Sequence, residues 1–293
     1  MQQAKIGIFG RHFDAGCDAA VEGLMRHLEA AGVQLWVYRP FLDVLRSRRI
    51  AVSGRVEVFD DYESVPPDLL LMMSIGGDGT FLHSVRMVRS SAIPIVGINA
   101  GRLGFLADVP VHDLLPVTDR LLAGDFVCEE RALLQVSSDS PLFGDYNCAL
   151  NEMTVQKSDT SLLTVQVWCD GDYLTTYWAD GLIVSTPTGS SAYSLSVGGP
   201  IVSPVCRNFI LSPIAAHNLN ERPLILPDSV KLRLCPESRS GSVQITLDSR
   251  SVTCASGVEL FVERAPYMIK MVKGGSFFAS LRSKLMWGAD KRN

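Results

Sequence analysis

The residues best suited to chemistry in this chain are Gly76-Gly77-Asp78-Gly79-Thr80. Glycines let a backbone approach a phosphate closely and turn consecutive N–H groups toward it. A carboxylate in such an anion-binding turn is repulsive unless it has a task of its own. The available tasks are holding Mg²⁺ and taking a proton from a hydroxyl, which together suggest phosphoryl transfer to an alcohol. A second group is Asn151-Glu152, two adjacent polar side chains inside a strand-like segment at 149–155. One of the pair must face inward, or both sit at a strand end or bulge. The third is the run Ser185-Thr186-Pro187-Thr188-Gly189-Ser190-Ser191-Ala192-Tyr193-Ser194-Leu195-Ser196, introduced by Asp180-Gly181 and a short apolar strand. Ser190 or Ser191 is expected to N-cap a helix there and open its N–H groups to a ligand. Each group also has a plainer reading: a tight turn, a solvated edge, an N-cap. The glycine turn matches neither the Walker nor the G-x-G-x-x-G pattern.

The flanking elements place these residues. The near-continuous apolar run 69–75 reads as a buried parallel strand, and apolar residues from 81 onward follow helical spacing. The glycine turn therefore lies at the carboxyl end of a strand, where open α/β sheets bind ligands. Segments 4–9, 34–38 and 94–98 read as further strands, and 15–31 and 112–123 as helices, the first ended by Gly32. The loop Asn99-Ala100-Gly101-Arg102-Leu103-Gly104-Phe105-Leu106 is a second glycine-bearing turn at a strand end. This alternation predicts an α/β fold with a doubly wound parallel sheet over 1–125. From 126 to 275 the strand-like segments 127–136, 146–156, 162–169, 230–235, 243–247 and 258–262 predict a mostly β, antiparallel domain. Residues 276–293 are expected to return to the body as a helical segment, with Phe277, Leu281 and Leu285 on one face.

Composition sets bounds. The 293 residues suffice for two domains. With 47% apolar residues, 20% charged residues and a net charge of −4, the chain shows no electrostatic footprint for nucleic acid. Its apolar runs are too short for a membrane span. No signal peptide precedes the first strand, so a cytoplasmic location is expected. Seven scattered cysteines without a C-x-x-C pair predict buried, reduced thiols.

Taken together, the chain resembles the NAD kinase family. The match rests on Gly76-Gly77-Asp78-Gly79-Thr80, Asn151-Glu152 and the block from Asp180 to Ser194, supported by the 99–106 loop, Ser212-Pro213-Ile214-Ala215-Ala216-His217 and Arg222-Pro223-Leu224. The resemblance implies ATP-dependent phosphorylation of NAD at the 2′-hydroxyl of its adenosine ribose, giving NADP, with a divalent cation such as Mg²⁺ bound with ATP. It implies that Asp78 meets that hydroxyl, that Gly79 and neighbouring amides hold phosphate, and that His83 stands where relatives carry a basic residue. Asn151 and Glu152 would bind ribose hydroxyls, and Asp180 the carboxamide end of the substrate. Thr188 and Ser191, Ala192, Tyr193, Ser194, Leu195 and Ser196 would surround the adenine and its ribose. A homodimer or homotetramer is implied as well. The same glycine turn also occurs in lipid and sphingoid-base kinases, and a catalytically silent nucleotide sensor would keep the fold. Neither alternative accounts as well for Asp78 with Asn151-Glu152.

Three positions depart from the family pattern. Ser191 stands in a Thr place. Trp178 stands where relatives carry Arg or Gly, which leaves the NAD/NADH preference open; a large ring in a β-rich half is expected to pack in the core. Asp248-Ser249-Arg250 replaces an Asp-Gly-Gln turn, which puts any contact made by that turn in question.

Overall fold

The structure, a computed structural model, describes residues 3–52, 56–101 and 104–286. Arg102 and Leu103 of the second glycine loop, and the end of the last helix segment at Trp287, lie outside the described residues. The chain divides into two compact units, Met1–Glu130 with Ile269–Asn293, and Arg131–Met268.

The first unit opens with β1 (Lys5–Gly10), α1 (Asp18–Ala30), β2 (Gln34–Tyr38), α2 (Arg39–Ser47) and β3 (Glu57–Phe59), and continues with β4 (Leu71–Gly76), α3 (Asp78–Val88), β5 (Ile95–Asn99), β6 (Val109–Pro110) and α4 (Leu114–Leu122). The strands pair in parallel in the order β3-β2-β1-β4-β5. Every residue of β4 and β5 is buried, as the continuous apolar runs require when helices cover both faces. Each large aliphatic side chain sealed in this way contributes about 1.5–3 kcal/mol. The strand order reverses between β1 and β4, so their carboxyl ends flank the crevice where such sheets take ligands. Helix α1 begins only at Asp18, after a 3-10 turn at Ala15–Cys17, and Gly32 follows it with φ 71°.

The second unit contains β7 (Cys128–Ser137, its first residues in the first unit), β8 (Cys148–Ala149), β9 (Glu152–Lys157), β10 (Leu163–Cys169), β11 (Asp172–Ala179), β12 (Gly181–Ser185), the single-turn α5 (Tyr193–Ser196), β13 (Asn208–Ile214), β14 (Leu224–Pro227), β15 (Leu232–Ser238), β16 (Ser242–Leu247) and β17 (Arg250–Ala255). One antiparallel sheet runs β14-β13-β12-β9-β16-β17. A second antiparallel set, β11-β10-β15, pairs onward to β18 (Leu260–Val272), and side chains of both layers share one core around Val155, Val165, Val184 and Leu234. Strand β18 starts in the second unit and ends in the first, where Met271 pairs with Ile95. Helix α6 (Phe277–Leu285) then buries Leu281, while Leu285 stays 36% exposed.

Two expectations are corrected here. All seven cysteines are free, but only Cys148 is buried, and Cys206 is exposed. Trp178 is not a core residue: it is 47% exposed, because its neighbours Tyr177 and Ala179 take the inward positions of β11.

Candidate active site

In the first unit Asp78 is itself the first residue of α3, and Gly77 precedes it as N-cap. Gly76 has φ 154°, and a Cβ there would come within 2.4 Å of Thr80 Oγ1, so only glycine fits. The first amides of α3, at Asp78 and Gly79, have no acceptor within the helix and form an anion-receptive end. The Asp78 carboxylate turns to the loop after β5. It accepts N–H bonds from Phe105 at 2.7 Å, Leu106 at 2.9 Å and Ala107 at 3.0 Å. Gly104 must be glycine for the same reason, since a Cβ would lie 2.0 Å from Asp78 Oδ1. A carboxylate has about four acceptor positions, so one is left for a substrate hydroxyl.

Two cations stand by this turn that the sequence reading did not name. Arg11 follows the carboxyl end of β1 and donates to His83 Nε2 at 2.8 Å, one helical turn beyond Asp78. Lys284 of α6 lies 5.1 Å from the Phe105 ring centroid, its Nζ buried without a hydrogen-bond partner. Burial lowers the basicity of Lys284, while the charges of Asp108 and Asp78 act the other way.

In the second unit the strand-like stretch 146–156 is broken between β8 and β9, with Asn151 in the break and Glu152 the first residue of β9. Both are buried, at 8% exposure each. The hydroxyl-rich run packs directly on them. Thr186 N–H donates to Asn151 O at 2.9 Å, and Thr186 Oγ1 donates to Leu150 O at 2.5 Å. Gly189 sits so close that a Cβ would meet Asn151 O at 2.0 Å. The Tyr193 backbone N–H donates to Glu152, and Gln156 Nε2 donates to Tyr193 Oη at 3.1 Å. Glu152 Oε2 is buried with no partner, as is Ser185 Oγ, which lies opposite it in the β9–β12 register. Cross-strand partners project on one face. Burial first, and the Asp248 charge second, push the Glu152 carboxyl up to about 8.

The capping expectation fails. Residues 188–191 form a 3-10 turn, α5 is capped by Ala192 without a side-chain bond, and its single turn offers no anion site. Ser190 Oγ instead ties to the backbone of Val202, and Ser191 Oγ donates to Thr188 O at 3.4 Å. Ser194 Oγ is buried against Ser212 Oγ at 3.0 Å, and Ser196 faces solvent. Asp180 stands apart. It precedes β12, whose far end pairs with Glu152, about 16 Å away at roughly 3.3 Å per residue. There it holds Lys157 Nζ at 2.6 Å, with His217 Nε2 at 4.0 Å. The Asp248-Ser249-Arg250 turn, in question from the sequence, carries contacts after all: Asp248 accepts from the amides of Leu150, Asn151 and Glu152. No group of three or more His, Cys, Asp or Glu poised for a metal occurs among the described residues.

Comparison with known proteins follows the same division. A family model of the ATP-NAD kinase N-terminal domain matches residues 62–126, and one of the C-terminal domain matches 150–274. The NAD kinase of Cytophaga hutchinsonii is 43% identical over 98% of this chain and 99% of its own length. That of Porphyromonas gingivalis is 42% identical over the same shares. Yeast NADH kinase complexed with NADH superposes with a TM-score of 0.87 at 23% identity, over 98% of this chain and 89% of the other. An Archaeoglobus fulgidus NAD kinase in complex with ATP gives a TM-score of 0.75 at 24% identity, over 96% and 98%. At those identities the two structures show the fold. The matched domains and the near-full-length relatives define a phosphotransferase acting on an alcohol. The chain belongs to the NAD kinase family.

Proposed function

We propose that the chain transfers the γ-phosphoryl group of ATP to the 2′-hydroxyl of the adenosine ribose of NAD, giving NADP and ADP. The observation that carries this is similarity to NAD kinases over nearly the full length, 43% identity in one case, with the two matched family domains spanning the Asp78 turn and the Asn151-Glu152 pair. Neither a lipid kinase nor a silent sensor is favoured by it.

The chemistry divides between the units. In the first, the α3 amides with Arg11 and Lys284 supply positive potential for phosphate, which phosphoryl transfer needs more than covalent help. The remaining acceptor position of Asp78 orients the attacking hydroxyl and takes its proton late, as the O–P bond forms and the β–γ bridging bond breaks. In the second, Asn151, Glu152 and Ser185 hydrogen-bond ribose hydroxyls, and Thr188 with 191–196 borders the adenine nucleoside. Asp180 and Lys157 serve the nicotinamide end. A divalent cation, Mg²⁺ in our reading, fits as a passenger on the ATP phosphates, because Asp78 has one acceptor position and no carboxylate cluster accompanies it. When bound it neutralises phosphate charge.

The enzyme is proposed to work in the cytoplasm as a homodimer or homotetramer, without nucleic acid or membrane. No described helix is long and apolar enough to cross a membrane. A coupled assay for NADP from NAD, ATP and Mg²⁺ tests the function; absence of NADP at micromolar enzyme refutes it.

A further inference from the structure

The turn between β16 and β17 grips the Asn151-Glu152 break. Asp248, with φ 51°, is half-buried, and its two oxygens take the N–H groups of Leu150 at 2.9 Å, Asn151 at 2.8 Å and Glu152 at 3.3 Å. Its own N–H donates to Glu152 O at 3.0 Å. Arg250 donates to Tyr146 O and, at 2.6 Å, to Cys148 O, with its guanidinium 4.9 Å from the Tyr146 ring centroid. Cys148 and Ala149 pair with β7 and Glu152 pairs with β12, so the backbone at 150–151 lies between two ladders, and the Asp248 bonds stand in for a strand partner there. Beside them, Glu152 Oε2 and Ser185 Oγ remain buried and unpartnered. Two unpartnered buried polar atoms on cross-strand neighbours are suited to take hydrogen bonds from a polar ligand, since burial without a partner is costly.

We propose that Asp248 and Arg250 are positioning residues for the acceptor substrate: they fix the 146–152 backbone so that Asn151 and Glu152 present their side chains to a ribose diol. The proposal rests on the kinase reading above. The Asp248 charge does a second thing. Burial raises the Asp248 carboxyl too, but three N–H donors and Arg250 act against that, whereas Glu152 has only the Tyr193 amide to set against its own burial; in this proposal the proton of the pair therefore resides on Glu152. A neutral Glu152 can donate one hydrogen bond and accept another, which matches a hydroxyl that is itself donor and acceptor. The groups facing Glu152 are Asp248 and Arg250 from the turn, the Tyr193 amide from α5 and the non-titrating Ser185 from β12. Tyr146, Cys148 and Tyr267 lie behind Arg250.

The test uses the full chain and four variants: Asp248→Asn, Arg250→Ala, Arg250→Lys and Glu152→Gln. NADP formation is followed from about pH 5.5 to 9, with NAD and ATP varied in turn. Asp248→Asn and Arg250→Ala should each raise KM for NAD about tenfold or more, and KM for ATP less than about twofold. Arg250→Lys should restore part of the loss. The inflection in kcat/KM for NAD that Glu152→Gln abolishes should move acidward by about half a pH unit or more in Asp248→Asn, because removing a neighbouring negative charge eases ionisation. A role confined to stability would alter both KM values alike and leave the inflection in place; either result overturns the proposal. The ¹³C-carboxyl titration of Glu152 in ligand-free protein reads the Asp248 coupling directly, and an unmoved titration in Asp248→Asn overturns it whatever the activity. Wild-type protein that forms no NADP at all overturns the kinase reading, and the ribose assignment with it, while the titration still reports on the pair.

Discussion

Asp78 holds the 105–107 loop, and in the proposed reaction the same side chain faces a substrate hydroxyl. Asp78→Asn keeps the shape but places an NH₂ where an oxygen accepted. The expected outcome is a fall in kcat for NADP formation of at least about 100-fold, roughly 3 kcal/mol, with the NAD dissociation constant by calorimetry nearly unchanged. A near-normal kcat would remove Asp78 from the chemistry. Asn151→Ala should weaken NAD by about 1–3 kcal/mol and ATP hardly at all in separate titrations, because a buried partner is left unpaired; equal losses would move the pair away from the acceptor. Asp78, Asn151 and Glu152 stand out in the sequence because a glycine-caged carboxylate and a polar pair inside an apolar strand have few plain structural uses. Asp248 does not stand out. Its bonds reach Asn151 across 97 residues, and no local pattern carries such a contact. Ser185 and Lys284 are hidden likewise: their meaning lies in the lack of a partner, which only coordinates reveal.

At the scale of elements, two glycines should respond in opposite directions. Gly189 lies between β12 and α5, and an added Cβ would strike the Asn151 backbone at 2.0 to 2.7 Å. Backbone cannot yield as a flexible side chain does, so Gly189→Ala should cost about 1–3 kcal/mol or more and lower Tm by several degrees in a thermal melt. Gly23 sits inside α1 with nothing within 4 Å of an added Cβ. Gly23→Ala should stabilise by about 0.5–1 kcal/mol through helix propensity. A stabilised Gly189→Ala would mean that the hydroxyl-rich run does not pack on the break. The parallel half was readable because its strands are continuous apolar runs bounded by glycine and its helices keep a 3.6-residue period. Strand β2 falls where expected, at Gln34–Tyr38. Helix α2 was passed over because Pro40 opens it and its span is short. In the β half, β11 lacks a regular apolar–polar alternation, β13 carries Pro213, and β18 is read only in its first residues because Pro266 interrupts it. Packing against neighbours overrides local preference there.

Across the whole molecule, the buried Glu152 carboxyl makes stability depend on pH in an unusual sense. Glu152 has its folded value raised to about 8 from an unfolded value of 4.5. The native state therefore holds a proton that the unfolded chain has released. Its contribution is full below about pH 4.5 and disappears as pH rises through about 8, on the order of 2–4 kcal/mol. In denaturant melts, wild type should lose stability relative to Glu152→Gln as pH rises through that window; a wild type that gains on the variant with pH would contradict the burial. Saturating NAD or ATP should each raise Tm, by about 2.7 kcal/mol of linkage at 100 times the dissociation constant. The first unit is assembled from Met1–Glu130 and Ile269–Asn293, with the whole second unit between them. On a ribosome adding about 5–20 residues per second, the two pieces emerge roughly 10–30 s apart. The inserted unit is complete first, while the Asp78 turn waits for the strand end that pairs with Ile95 and for the helix that brings Lys284. Synthesis thus delivers the half with the proposed ribose contacts before the half that holds the Asp78 turn.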